Sequence, residues 1–319
     1  ASLVGSEMCI RDRFVNGGSS FSDSVIVNEK VLQQLTGLNE LAPLHNPSNI
    51  MAIKAFKQAL PAAVSVAVFD TGFHQSLPIK NFLYSLPYQY YQRFQVRKYG
   101  AHGISYRYVF NKLLESSGLI AKKTNAIIMH LGSGASICAI KEGRSFDTSM
   151  GFSPVSGITM QTRVGDVDAS AIVYLQKKLG INSEKMLEIL NNNSGILGIS
   201  GISPDMRDVL ADTAASKRAQ LAIEIFVNQI VKYIGAYIAE LQQVDAIVFT
   251  GGIGENIPLI REKICQQLGF MGVKVDSEKN QNPQKYSLIS TPKSSSTVWV
   301  IPTNEELMIA QDAYRLADY

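Results

Sequence analysis

The chain has 319 residues, 46% of them hydrophobic, which is enough to bury a large core in one large or two ordinary domains. Its net charge of +3 is spread without a long run of Lys or Arg, which argues against nucleic acid or an anionic membrane surface as partner and leaves small-molecule chemistry. Three scattered cysteines, Cys9, Cys138 and Cys265, make neither a disulfide framework nor a zinc site, and no apolar run approaches the roughly 18 residues of a spanning helix; a cytoplasmic protein is expected.

The opening run, residues 1–13, has no clear period and is similar to translated adapter sequence, so it is expected to be a non-native leader without structural weight. Val64 to Phe69 is a short β-branched run that delivers Asp70 at its C-terminal end. Asn125 to His130 is a second strand, followed by the glycine turn Gly132-Ser133-Gly134, then Ala135 to Ile140 and a Glu142-Gly143 hairpin turn. From Ala219 to Leu241, Ile223, Phe226, Ile230, Ile234, Tyr237 and Leu241 recur at steps of three and four, the pattern of a long helix packed on a sheet. Asp245 to Phe249 is then a strand, Gly251-Gly252-Ile253-Gly254 a tight turn, and Ile257 to Leu268 a helix. The polar stretch from Val275 to Thr297 reads as a mobile surface excursion. Val298 to Ile301 is a last strand, and Glu305 to Leu316 a terminal helix with an acidic start. Strands and helices alternate, so the class is α/β.

The four histidines, His45, His74, His102 and His130, all lie beside Gly, Pro or Asp, where chains turn. A lone turn histidine is more often a structural hydrogen-bonder than a catalyst. The two glycine turns after strands could cradle phosphates, although neither matches a Walker loop or a dinucleotide fingerprint. Asp70, Arg163, Glu305 and Glu306 supply the carboxylates and the cation that phosphoryl transfer needs. Spacing alone favours a bland reading, in which Arg163 pairs with Asp166 or Asp168 and Glu305 only starts a helix.

The order of the motifs is more specific than any one of them. LAPLHNP (Leu41 to Pro47), VFDTGFHQSLP (Val68 to Pro78), RKYGAHGIS (Arg97 to Ser105), HLGSGAS (His130 to Ser136), DTSMGFSP (Asp147 to Pro154), SGILGISG (Ser194 to Gly201), FTGGIGEN (Phe249 to Asn256) and PTNEEL (Pro302 to Leu307) together closely resemble the acetate kinase family from about Phe14 onward. The resemblance implies a duplicated ribonuclease H-like fold, shared with sugar kinases, actin and heat-shock chaperones, with the active site between two domains. On that basis residues 14–74 with 308–319 are the remainder of the first domain, and 75–307 form a nucleotide-binding second domain.

The same resemblance implies roles. Asp70 and Glu305 orient Mg2+, and Arg163, His102 and His45 act on the phosphoryl group in flight. His130, Gly132, Ser133 and Gly134 contact phosphate, while Asp205, Met206 and Arg207 grip adenosine opposite Gly252, Ile253, Gly254 and Asn256. Arg13, Val15, Leu44, Ala101 and Pro154 line the site for acetate or propionate. ATP and ADP are co-substrates, attack is direct and in line, and a homodimer is expected.

The sequence departs from the family in several places. Nothing corresponds to the family's N-terminal strand and Asn-Ala-Gly-Ser-Ser-Ser loop, so an unpaired sheet edge and little kinase activity are expected of the chain as it stands. Ser133, Gln161 and Tyr106 replace a usual Asn, Gly and His. Ala101 replaces a usual Phe and should enlarge the acyl pocket, which admits a butyrate kinase-like alternative. A non-catalytic actin-like or chaperone-like nucleotide-binding module and a pyrophosphate-dependent relative are the other readings.

Overall fold

The computed structural model describes residues 9–41 and 46–317. Two sheets organise it. β1 (Cys9–Phe14), β2 (Val25–Ile26) and β3 (Val64–Phe69) form a three-stranded sheet in the order β1-β3-β2, with β1 parallel and β2 antiparallel to β3. β4 (Ala126–Leu131), β5 (Ala135–Lys141), β6 (Arg144–Thr148), β7 (Ala246–Thr250), β8 (Ser287–Leu288) and β9 (Thr297–Val300) form a six-stranded sheet in the order β6-β5-β4-β7-β9-β8. The pairs β4–β7 and β7–β9 are parallel, and β4–β5, β5–β6 and β8–β9 antiparallel.

The period-two alternation of strands explains the layers. In β3, Ala67 and Phe69 face a core with Phe14, Phe21, Leu35 and Ile53. Val66 and Val68 face the opposite way, into a layer shared with Ile128, Cys138 and Val248 of the larger sheet and with the helices Gly103–Ser117 and Glu305–Leu316. The far face of the six-stranded sheet, including Ile127, Met129, Ile137 and Phe249, is covered by the helix Lys217–Leu241. Among the described residues this helix is the one long and apolar enough to cross a membrane. Its apolar stripe of Ile223, Phe226, Ile230, Ile234, Tyr237 and Leu241 is buried in the core, at about 1.5–3 kcal/mol for each large apolar side chain, which makes it a core helix.

Most of the strands and long helices fall where the sequence puts them, and three expectations need correction. The strand Cys9–Phe14, which takes in the end of the expected leader, is paired along its length with β3, from Cys9 opposite Val64 to Phe14 opposite Phe69. Among the described residues β1 has a partner on that side alone. The expected turn at Gly251 is a six-residue helix, Gly251–Asn256. Gly251 enters it at φ +77°, where a Cβ would sit 2.8 Å from the Leu131 carbonyl, and Glu255 Oε1 accepts the otherwise orphaned Gly251 N–H at 2.8 Å. The stretch from Val275 to Thr297 is anchored rather than loose. Asn280, 2% exposed, accepts from Arg261 Nε at 2.8 Å and donates to the Pro258 carbonyl at 3.0 Å, while Ile289 is buried and β8 pairs with β9. Its polar residues include partners for a buried arginine, which polarity alone does not reveal.

Candidate active site

β3 ends by placing Asp70, 3% exposed, beside the start of the helix Gly103–Ser117. Gly103 donates its N–H to the Asp70 carbonyl at 2.9 Å, and a Cβ there would lie 2.2 Å from that oxygen, so a glycine is required for the approach. The residue before it, His102, caps the helix in the left-handed region at φ 58°. A non-glycine residue there is strained, and its surroundings hold it. His74 Nε2 donates to the Ala101 carbonyl at 2.9 Å and its Nδ1 accepts from Ser145 Oγ at 2.8 Å, pinning the turn. Burial pulls the His74 pKa down to about 4. His74 is therefore the structural histidine of the set.

Arg13 draws the two acids together. Its Nε and Nη2 donate to Asp70 Oδ2 at 2.9 and 2.6 Å, and its Nη1 donates to Glu305 Oε2 at 3.1 Å. Burial raises the pKa of both carboxyls, and Arg13 opposes that shift. One oxygen of each acid, Asp70 Oδ1 and Glu305 Oε1, is buried without a hydrogen-bond partner among the described residues. Two inward carboxylate oxygens left bare are costly unless a ligand satisfies them.

Two histidines lie next to this group. His102 and His130 stack with ring centroids 4.2 Å apart. Burial lowers the pKa of each, His130 to about 4, with Arg13 adding to the effect; His130 and Arg163 also act on His102. Both rings are neutral at neutral pH, so they offer hydrogen bonds rather than charge. Across the Gly132–Gly134 turn, a Cβ on Gly134 would lie 3.2 Å from Arg163 Nη1 and 3.3 Å from His102 Nε2. The turn, the imidazole and the guanidinium therefore share one space. Arg163 is half-buried, donates from Nη1 to the Pro154 carbonyl at 3.3 Å and makes no ion pair with Asp166 or Asp168 among the described residues. Burial lowers its pKa.

The loop carrying Arg163 is held from behind. Ser194, Ile196 and Leu197 donate their N–H groups to the carbonyls of Thr162, Met160 and Gln161, each at 2.9 Å. Gly195, at φ +61°, leaves no room for a side chain, since a Cβ would meet the Met160 carbonyl at 2.2 Å.

On the other side, His130 Nδ1 lies 2.8 Å from Ser105 Oγ, which lies 2.7 Å from Thr303 Oγ1. Glu255 Oε1 accepts from Thr303 N at 3.2 Å as well as from Gly251 N, so one carboxylate fixes both the Gly251–Asn256 helix and the loop before Glu305. Ser105, Ser136, Gly195, Glu255 and Thr303 were not singled out from sequence. Each sits inside a quoted motif, but only the fold shows what it touches.

The remaining residues are spread around this centre. Gly252 faces open space and Asn256 donates to its carbonyl at 2.9 Å, while Ile253 and Met206 are buried in the same core. Asp205 caps the helix Met206–Ala211 and pairs with the exposed Arg207 at 2.6 Å. Val15 and Pro154 are half-buried and Ala101 is buried. Ser133 is exposed and its carbonyl accepts from Gln161 N at 3.3 Å. His45 and Leu44 lie outside the described residues.

The model of the acetokinase family matches residues 5–311. The acetate kinase of Geobacillus sp. (strain WCH70) is 52% identical over 310 residues, covering 97% of this chain and 78% of its own length. Among solved structures, the acetate kinase of Porphyromonas gingivalis superposes with a TM-score of 0.92 at 43% identity, over 95% of this chain and 77% of the other. A propionate kinase from Francisella tularensis gives 0.91 at 42% identity, over 96% and 78%.

Proposed function

The chain belongs to the acetokinase family, ATP-dependent carboxylate kinases with the ribonuclease H-like fold, and from that premise we propose that Asp70, Arg13, Glu305, His102 and Arg163 form its phosphoryl-transfer centre. The observation that carries this reading is the pair of bare oxygens, Asp70 Oδ1 and Glu305 Oε1, on acids that Arg13 already bridges. Magnesium in kinases is held by one or two carboxylates, water and substrate phosphates, and these two oxygens fit that donor set. When bound, the ion would neutralise phosphate charge and orient the transferring group.

The residues do the rest. Arg13 uses three of its five N–H groups on the two acids, which leaves two to hold the carboxylate of the acyl substrate. That carboxylate oxygen attacks the γ-phosphorus of ATP while ADP leaves on the opposite side. Arg163 and neutral His102 then donate to the equatorial oxygens. His130 and the turn Gly132, Ser133 and Gly134 hold the adjoining phosphates. Asp205, Met206 and Arg207 bind adenosine opposite Gly252, Ile253, Gly254 and Asn256. No protein nucleophile takes part.

Acetate or propionate is the acyl substrate, with Val15, Ala101 and Pro154 around its alkyl end. Because Ala101 is small, Ala101→Phe in the complete enzyme should fill the pocket and lower the propionate-to-acetate ratio of kcat/KM by about tenfold, since one methylene in an apolar pocket is worth about 1–3 kcal/mol. Acetyl and propionyl phosphate formation from ATP, measured before and after the change, tests both the activity and the pocket. An unchanged ratio removes Ala101 from the acyl site.

A second copy of the chain is the proposed partner. The helix Ala169–Leu179 has no buried residue and exposes Val173, Tyr174, Leu175 and Leu179, an apolar surface that a homodimer would cover. Light scattering should give the dimer mass, and Leu175→Asp with Leu179→Asp should shift it to the monomer. A monomeric parent chain defeats this. The setting is cytosolic, in keeping with ATP as co-substrate and with Cys138 and Cys265 as buried free thiols.

A further inference from the structure

We infer that Tyr106 and Ser136 are positioning residues that hold His102 as the tautomer protonated on Nε2, through an ordered chain of hydrogen bonds running Tyr106 Oη–H to Ser136 Oγ–H to His102 Nδ1. This deepens the reading in which His102 donates to the transferring phosphoryl group, and it rests on that reading for its catalytic consequence.

The three groups meet in the interior. Ser136 Oγ lies 2.8 Å from His102 Nδ1 and is also hydrogen-bonded to Tyr106 Oη. Tyr106 and Ser136 are both 0% exposed, so no bulk water can rescue a wrongly placed proton.

Of the proton arrangements that can be written, one satisfies every donor. If Tyr106 donates to Ser136 and Ser136 donates to His102 Nδ1, each hydroxyl proton has an acceptor and Nδ1 uses its lone pair. If His102 Nδ1–H instead donates to Ser136 and Ser136 to Tyr106, the phenol proton has no acceptor among the described residues. If His102 and Tyr106 both donate to Ser136, the serine proton is stranded in the same way. A buried unsatisfied donor disfavours either alternative by roughly ten- to a hundredfold. Burial also raises the Tyr106 pKa well above its usual range, which keeps the phenol proton available.

The outward consequence is at the other ring nitrogen. With Nδ1 an acceptor, Nε2 carries the proton, and Nε2 is the atom that faces the Gly134 and Arg163 space. A phosphoryl oxygen there can only accept, so the chain aims the needed donor. The sequence carries a tyrosine where the family usually has histidine, and this role explains what the phenol contributes.

The test is long-range nitrogen–proton NMR on chain labelled with nitrogen-15, with the His102 resonances assigned by their loss in His102→Ala. The chain as it stands should show a single His102 tautomer, Nε2–H, at neutral pH. Tyr106→Phe frees Ser136 to accept or donate and Ser136→Ala leaves Nδ1 unpartnered, so both should populate the two tautomers. Each should lose about tenfold in kcat while KM for ATP and for the carboxylate stays within about twofold. A protonated Nδ1 in the unmodified chain overturns the inference, with no variant needed, and so does a single unchanged tautomer in folded Tyr106→Phe and Ser136→Ala. Undiminished turnover in His102→Ala would instead sink the catalytic reading of His102, a failure the tautomer measurement separates from this one.

Discussion

Arg163→Ala should lower kcat by about 10³-fold or more, the scale seen when a cation that stabilises a phosphoryl group in flight is removed. The expectation follows from where the guanidinium stands. It shares the space at Gly134 with His102 Nε2, and its hydrogen bonds among the described residues are two weak ones, to the Pro154 carbonyl at 3.3 Å and to Met160 Sδ at 3.9 Å. A half-buried cation with so little protein to hold it is available to a ligand, and its absence costs little in folding. The thermal midpoint should therefore move by only a few degrees while turnover collapses, and KM for ATP should change far less than kcat. Turnover within about tenfold of the parent would remove Arg163 from the chemistry.

Asp70→Asn should cost about 10²- to 10³-fold in kcat and raise the magnesium concentration needed for half-maximal rate, because a neutral amide holds a divalent cation poorly. Its effect on stability should have the opposite sign or be close to zero. Burial raises the Asp70 pKa in the folded chain, so its ionised form is disfavoured there. A carboxyl with a raised folded pKa contributes fully below its unfolded pKa and loses that contribution as pH rises through the folded value. At neutral pH the substitution removes that penalty, and Arg13, whose side chain is 41% exposed, keeps Glu305 and water as partners. Urea unfolding at pH 7 should show equal or greater stability alongside the lost activity, the trade expected at a site kept charged for function. A large loss of both would mean that Asp70 is chiefly a structural residue.

The parts of the fold that were legible in sequence are those fixed by local pattern. Val64–Phe69 and Glu305–Leu316 are found at the expected residues because a β-branched run and a helical apolar stripe carry their own period. Cys9–Phe14 was not legible, since a parallel strand is defined by its partner, here Val64–Phe69, more than 50 residues away. The site divides in the same way. Asp70, His102, Arg163 and Glu305 could be named from motif order; in the fold Arg13 links Asp70 to Glu305, and His102 and Arg163 both approach Gly134. The charge link from Arg13 to both acids, the Glu255 carboxylate shared by a helix start and the loop at Thr303, and the Tyr106–Ser136–His102 chain depend on contacts between distant segments. No spacing rule encodes them.

The central claim is that Asp70 and Glu305 present one metal site to a phosphate that Arg163 and His102 also face. Anomalous diffraction from crystals of the chain grown with Mn2+, ADP and acetate tests it directly. The account predicts one strong peak coordinated by Asp70 Oδ1 and Glu305 Oε1, with the nucleotide phosphates running toward the Gly132–Gly134 turn. A manganese ion held by neither carboxylate, or phosphates directed away from Arg163, would contradict it.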